Sequence, residues 1–423
     1  MNKKFFVFAL GCKVNSYELA AISAELISRG YKEDKNDPDV VIINTCSVTA
    51  TADQKSRQHI RKFQKLYPNA VIAVMGCYSQ GNEEYIGNEI KPDILVGTSN
   101  RNKLVDYIEQ FMIDHKPIVD IDKDTRGYKY EELGVISFSD NVRAYLKIQD
   151  GCDNFCTYCL IPYRRGKMRS RNPEPIIKEA EYLVSQGYQE IILTGIHVGG
   201  YGQDLENINF STLVETLLNI PGLRSLRISS IEESEIDDKL ISLYASRDNL
   251  AKHLHIPLQS GSDTVLKRMN RKYNKAQFLE KINRIRKALP DVMISTDVIV
   301  GFPGETDEEF NETFDFIKEC GFNMLHVFPF SAREGTAAYL MKNQVSPQIK
   351  QQRAATLLDL SKRLYEEYVS RFFSKDIEVL VEKYKNGCNI GHTSNYIEVS
   401  VPSNEGKVGQ IISVKLEKSM ILS

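Results

Sequence analysis

The sequence predicts an α/β protein in three parts: an N-terminal open parallel α/β sheet, a central partial (β/α)6 barrel and a small C-terminal all-β barrel. Two runs of apolar, strand-length segments alternating with helical patterns predict the first two parts, because such alternation produces parallel sheets covered on both faces. A tail of short alternating segments broken by Gly and Asn predicts the third. At 423 residues the chain is long enough for each part to bury its own core.

In the first part "KFFVFAL" (4–10), "DVVIINT" (39–45), "NAVIAVMG" (69–76) and "DILVG" (93–97) read as buried strands. Between them "SYELAAISAELISRGY" and "TADQKSRQHIRKFQKLYP" carry the 3.6-residue period of amphipathic helices. Residues 120–142 show neither period and read as a linker. The second series places strands near 144–149, 190–196, 225–231, 253–259, 293–302 and 323–330, with helices at 174–187, 275–288 and 306–320. Six such units suit a partial barrel whose chemistry sits at the carboxyl ends of its strands. A helix over about 346–370 closes this part, and short strands follow within 376–384, 387–402 and 406–419. The expected domains are 1–125, 140–368 and 369–423.

The composition, 42 % apolar and 26 % charged, is that of an ordinary globular protein. A net charge of -2 argues against a broadly basic nucleic-acid binder, so any such contact must come from local basic clusters. "MNKKFFVFALGC" has the outline of a lipoprotein signal, but its apolar core, Phe5 to Leu10, is too short and a helical pattern follows at once. No run approaches the ~20 apolar residues that span a bilayer. A reducing cytoplasm is expected, where grouped cysteines signify metal or catalysis more often than disulfides.

Cys12, Cys46 and Cys77 each stand just after one of the first three strands. The carboxyl ends of parallel strands share one edge, where ligands bind, so these thiols should converge; three separately buried cysteines are the alternative. A second group, Cys152, Cys156 and Cys159 in "GCDNFCTYC", lies on the loop after the first barrel strand. Structural zinc wants four ligands, usually in pairs. An iron-sulfur cluster tolerates three thiolates, leaving one iron open to an exogenous ligand.

The C-x-x-x-C-x-x-C loop resembles that of the radical S-adenosylmethionine enzymes. With "GCKVNSYE", "NTCSVT" and "GCYSQ" before it, the whole chain resembles the methylthiotransferases of that superfamily, including a C-terminal barrel similar to their TRAM domain. The resemblance implies two 4Fe-4S clusters, one on Cys152, Cys156 and Cys159 that cleaves S-adenosyl-L-methionine to a 5′-deoxyadenosyl radical. An auxiliary one on Cys12, Cys46 and Cys77 carries the sulfur to be methylated and inserted. It further implies cofactor contacts at Tyr158 within the radical loop, at Gly195 in "LTGIHVGGYG", at Gln259 and Ser260 in "HIPLQSGSD", and at Gly301 in "STDVIVGFPGET". Asp297 is an orienting group or a satisfied barrel carboxylate, and His197, His253, His255 and His326 are expected to be lining residues.

Arg164, Arg165, Lys167, Arg169 and Arg171 leave the radical loop without an acidic residue among them, which marks Arg164, Arg165, Arg169 and Arg171 as expected RNA contacts. Lys267, Arg268, Arg271 and Lys272 form another basic group, and Lys55, Arg57, Arg61, Lys62 and Lys65 a third. Tyr384, His392 and Tyr396 are candidates on the C-terminal barrel, and Cys320 and Cys388 read as structural. Within the family "GCKVNSYE", with Lys13 and Val14, is most similar to the branch acting on N6-threonylcarbamoyladenosine-37 of tRNA. The isopentenyl-adenosine and ribosomal-protein branches are the alternatives, and a non-catalytic iron-sulfur RNA-binding protein is the alternative of a different class. The implied partners are tRNA and an electron donor such as flavodoxin or ferredoxin, with no membrane and a monomeric chain.

Overall fold

Alternation within continuously apolar strands builds the first domain. In strand Val40–Thr45 the side chains of Val40 and Ile42 join one core with Leu19, Ile22 and Leu26 of helix Lys13–Ser28. Val41 and Ile43 join a second core with Ile60 and Phe63 of helix Ala50–Leu66. One period-2 strand thus covers both faces of the sheet.

The computed structural model describes residues 3–134 and 142–422, so part of the expected linker, 135–141, lies outside the described residues. The strands are β1 (Lys4–Ala9), β2 (Lys32–Glu33), β3 (Val40–Thr45), β4 (Val71–Gly76), β5 (Ile94–Val96) and β6 (Ile118–Asp120). They form one parallel sheet in the order β2-β1-β3-β4-β5-β6. The order reverses between β1 and β3, which opens a crevice at their carboxyl ends. The stretch with the outline of a lipoprotein signal is therefore the inner strand β1. No helix among the described residues is long and apolar enough to cross a membrane.

In the central domain β7 (Arg143–Lys147), β10 (Glu190–Thr194) and β11 (Ser225–Ile228) form one parallel sheet; the short antiparallel pair β8 (Gln149–Asp150) and β9 (Arg169–Ser170) lies beside it. β12 (His253–His255), β13 (Met293–Val300) and β14 (Met324–Pro329) form another. Parallel bridges Leu226 to Leu250 and Ser230 to His255 join the two into the expected six-stranded open barrel. Its outward side chains, such as Leu146, Ile191, Leu226, Leu254, Ile294 and Leu325, pack into one large core. By alternation the inward positions fall to Arg143, Tyr145, Lys147, Glu190, Arg227, His253, His255, Ser295, Asp297 and His326, so the barrel interior is polar.

β15 (Asp376–Lys385), β16 (Cys388–Thr393), β17 (Glu398–Pro402) and β18 (Ile411–Lys415) make an antiparallel sheet in the order β17-β16-β15-β18. A bridge from Ile421 to Val399 returns the tail to the opposite edge. This domain caps the end of the barrel where the strands begin: Arg227 donates to the carbonyls of Thr393 and Ser394, Arg143 pairs with Glu382, and Tyr396 stacks on His253.

Candidate active site between two cysteine triplets

The three N-terminal strand ends are stitched together by short polar side chains. Asn15 Nδ2 donates to the carbonyls of Leu10 (2.6 Å) and Thr45 (3.1 Å), and Thr45 Oγ1 donates to Met75 O (2.7 Å). Gly11, at φ +95°, makes the close approach possible, since a Cβ there would lie 2.5 Å from Cys46 Sγ. Cys12 is exposed while Cys46 and Cys77 are buried. Burial pushes the Cys46 thiol up to about 11 and raises Cys77 as well, so binding a metal there must release protons.

The barrel supplies the counter-charge. Arg165, in the short helix Ile161–Arg165 after the second triplet, donates from Nε to Cys77 Sγ at 3.2 Å. It is fully buried, and its other nitrogens reach Glu18 Oε1 (2.9 Å), Asp150 Oδ1 (3.1 Å) and Asn15 Oδ1 (3.0 Å). Arg101 and Lys147 complete the network around the same two carboxylates. Burial alone would raise Glu18, but Arg101, Arg165 and Lys147 outweigh it and hold the carboxyl well below its usual range. One buried ionic cluster therefore joins the first domain to the barrel and ends on a cysteine of the first triplet.

The second triplet sits on a loop pinned on three sides. Thr157 N donates to Met269 O (3.0 Å), Thr157 Oγ1 donates to Arg268 O (2.9 Å), and Thr157 O accepts from Ala338 N (2.8 Å). Arg271 Nη1 donates toward Cys156 Sγ (3.5 Å), and Cys159 Sγ accepts from Ile161 N (3.4 Å). Burial lowers the His197 imidazolium, but Cys152 and Glu235, the latter 2.5 Å away, more than reverse this and raise it to about 10. N–H donors aimed at thiolate sulfurs are the usual tuning elements of iron-sulfur ligation. Among the described residues no three His, Cys, Asp or Glu side chains converge on a single metal ion. The residues fit two three-thiolate clusters.

Gly151 precedes the first cysteine at φ +71°, and a Cβ there would lie 2.0 Å from Lys167 O. Gly151→Ala is expected to destabilise the loop by more than about 1 kcal/mol and to lower the iron bound per chain, as measured by iron analysis after anaerobic reconstitution.

A cavity of about 520 Å³ opens beside Cys156, lined among others by His197, Glu232, Glu233, Glu235, Arg271 and Tyr273. Glu233 Oε2 is buried there without a hydrogen bond. The sequence reading passed over Glu232, Glu233 and Glu235, although their place after the third barrel strand is where a barrel's functional carboxylates stand. Gly195 lies at the rim against Gln149, whose Oε1 accepts from Ile196 N and His197 N. Gln259 is half-buried at φ +64°, and Tyr158 packs edge-on to Phe302.

Other expected placements are corrected. Ser260 is buried against Thr313 and accepts from Ser262 N, so its hydroxyl does not face the mouth. The Gly301 amide donates to Glu305, and a Cβ at Gly301, which stands at φ +71°, would meet the Lys350 stem. Arg165, Arg169 and Arg171 are buried and paired inside the protein, Arg171 with Glu132 (2.8 Å) and Glu179 (2.5 Å), and they offer no surface to RNA. The segment read as a linker causes part of this, because Tyr128 covers Arg169, and Glu131 and Glu132 pair with Arg101 and Arg171. Arg164 alone of the four is half-buried without an ion pair among the described residues, its guanidinium against Gly81. Arg268 and Arg271 are likewise engaged by Glu309 and Glu232. His392 and Tyr396 stack with each other at the foot of the barrel, and Tyr384 stays exposed. Cys320 is buried, and Asp297 lies 3.3 Å from His255.

The two sets of strand ends face each other. Arg333, after β14, donates to Ser47 O (3.2 Å) and pairs with Asp53 (2.6 Å), and Thr98, after β5, bonds Arg164 O (2.5 Å). The triplets therefore border one mouth.

Comparison with known proteins agrees with this architecture. Residues 146–317 match the family model of the radical SAM superfamily, and residues 4–97 match the uncharacterized protein family UPF0004. The chain is 46 % identical over 418 residues to the threonylcarbamoyladenosine tRNA methylthiotransferase MtaB of Bacillus subtilis, covering 97 % of this chain and 93 % of the relative. It is 36 % identical over 434 residues to the tRNA-2-methylthio-N(6)-dimethylallyladenosine synthase of Clostridium tetani, covering 99 % and 95 %. Among solved structures, the radical S-adenosylmethionine methyltransferase TsrM from Kitasatospora setae superposes with a TM-score of 0.58 at 11 % identity over 78 % of this chain and 72 % of that one, a likeness of fold. With both cysteine sets in place and such identity along nearly its whole length, the chain belongs to the radical S-adenosylmethionine tRNA methylthiotransferases.

Proposed function

We propose that the enzyme inserts a methylthio group at carbon 2 of N6-threonylcarbamoyladenosine-37 in tRNA. The observation that carries this reading is the shared mouth: Arg165, six residues after Cys159, hydrogen-bonds Cys77, so both triplets address one chamber. When bound, a radical-site cluster with S-adenosyl-L-methionine supplies hydrogen abstraction from an unactivated carbon, and an auxiliary cluster on Cys12, Cys46 and Cys77 supplies the sulfur.

The chain's own residues hold and shield these groups. Arg271 and His197 place positive charge beside Cys156 and Cys152, and Arg165 does so beside Cys77. The polar cavity walls of Glu232, Glu233 and Asn270 suit the amino and hydroxyl groups of S-adenosylmethionine. For RNA the charge lies elsewhere than the loop after the radical triplet. Lys55, Arg57, Arg61, Lys62 and Lys65 on helix Ala50–Leu66 have no carboxylate partner among the described residues; Arg57 and Arg61 bond only tyrosines. That helix starts four residues after Cys46, so phosphates held along it would bring a loop base to the mouth. Exposed Phe155 and Tyr163 on the radical loop offer stacking faces beside it. We assign the chain to the cytoplasm as a monomer reduced by a flavodoxin or ferredoxin.

The test is anaerobic reconstitution with S-adenosylmethionine and dithionite, followed by mass spectrometry of nucleosides from tRNA lacking the modification. The expected product is the methylthio adduct of threonylcarbamoyladenosine; an adduct on isopentenyl-adenosine instead overturns the substrate.

A further inference from the structure

Two struts join the cysteine loops. The first is helix Ile161–Arg165, whose Ile161 amide donates to Cys159 Sγ (3.4 Å) and whose Arg165 donates to Cys77 Sγ (3.2 Å). The second is the loop that leaves β14, residues 330–338. Phe330 and Ala338 bury themselves in a small core with Val265, Met269 and Phe302, against which Tyr158 of the radical loop packs, and Ala338 N donates to Thr157 O (2.8 Å). Between these two anchors the loop reaches across to the N-terminal domain. Arg333 Nη2 donates to Ser47 O (3.2 Å) and Ser47 Oγ (3.0 Å) and pairs with Asp53 Oδ2 (2.6 Å), while Ser331 Oγ accepts from Ala50 N (3.2 Å).

Ser47 directly follows Cys46, and its hydroxyl also donates to Asp53 Oδ1 (2.8 Å), so the Arg333 guanidinium grips both ends of the turn that carries this cysteine. The grip is stiff. The Arg333 side chain is only 7 % exposed, and buried Thr336 locks the loop by donating to Arg333 O (2.7 Å) and accepting from Tyr339 N (3.3 Å). A single strut leaves two loops free to turn about it, whereas struts ending at Cys77 and beside Cys46 set both spacing and angle. Hydrogen removal needs only the radical loop, but sulfur insertion needs the N-terminal cysteines at a set distance from the same carbon. A misplacement of about 1 Å can cost roughly 10²-fold in rate. We propose that Arg333 is a positioning residue that fixes the spacing of the two cysteine sets and so couples hydrogen removal to sulfur insertion. The role rests on the two-cluster reading above.

The test is Arg333→Met, which keeps an unbranched stem and loses every donor, with Arg333→Lys and Asp53→Asn beside it. Each protein is reconstituted anaerobically, and three quantities are read: iron per chain, the distance between the two reduced clusters by pulsed electron paramagnetic resonance, and the methylthio-nucleoside formed per deoxyadenosine on tRNA lacking the methylthio group. Arg333→Met should bind as much iron as the wild type and release deoxyadenosine at a similar rate. Its cluster-to-cluster distances should spread, and its product ratio should fall by about tenfold or more. Asp53→Asn should change both in the same direction. Arg333→Lys keeps a charge for Asp53 but not the fork shared with Ser47, so it should recover part of the ratio. An undiminished ratio, or an unchanged distance distribution, in Arg333→Met overturns the proposal. So does iron loss in both Arg333→Met and Asp53→Asn, which would make the contact a builder of the auxiliary site rather than a spacer. A wild type that takes up iron for one cluster only fails the two-cluster reading instead, and the proposal falls with it.

Discussion

Alanine at Cys152 is expected to abolish 5′-deoxyadenosine formation, whereas alanine at Cys46 is expected to leave that cleavage running and to stop sulfur insertion. The two cysteines belong to separate folding units: Cys152 follows β8 in the barrel, and Cys46 follows β3 of the N-terminal sheet, whose two cores contain no residue of the radical loop. Removing either thiol leaves the other triplet's scaffold intact. Each triplet has three thiols, so one deletion leaves two cysteines at that site. The expected loss exceeds the 10–100-fold typical of removing a group that merely hydrogen-bonds a ligand, and about 10³-fold is the minimum anticipated. Deoxyadenosine and methylthio-nucleoside are quantified in the same quenched reaction. Methylthiolation surviving Cys46→Ala, or deoxyadenosine surviving Cys152→Ala, would remove the division of labour between the two sets.

What the sequence made legible follows from local rules. Strand ends in a parallel sheet share an edge, so Cys12, Cys46 and Cys77 could be brought together on paper, and the period-2 and period-3.6 patterns placed the long strands and six of the helices, but did not single out helices Leu104–Asp114, Phe210–Leu218 and Asp238–Ser246. The arginines after the radical loop were misread because a charge run says nothing about where its partners stand. Arg165 meets Glu18 across 147 positions of sequence, and Arg171 meets Glu132 across 39. The aperiodic segment around Tyr128 and Glu132 carries no helix or strand signal, yet it is what covers Arg169 and Arg171. Ser260 looked like a polar group aimed at the mouth, but the left-handed backbone at Gln259 turns the chain and sends that hydroxyl to Thr313. Such turns depend on tertiary context rather than on residue type, since Gln has no preference for positive φ.

The same buried cluster makes Glu18→Ala the largest stability change expected outside the cysteines. Glu18 is fully buried and meets three cations, Arg101, Lys147 (2.9 Å) and Arg165 (2.9 Å). Deleting one partner of a buried ionic set costs roughly 3–5 kcal/mol, because the others are left uncompensated. Asp150 cannot absorb three guanidinium and ammonium groups together with Arg169. Denaturant unfolding followed by circular dichroism reads the loss directly. The pH dependence carries the opposite signature. The folded carboxyl of Glu18 is held below its ordinary value, so its contribution is complete above the unfolded value of about 4.3 and disappears as pH falls toward the folded one. Wild type should therefore lose stability on acidification more steeply than Glu18→Ala, and the two curves should approach each other at low pH. A variant with wild-type stability near neutrality would show that the cluster is a geometric coincidence. The expected loss would instead tie the fold's stability to catalysis, since the guanidinium released from Glu18 is the one that holds Cys77.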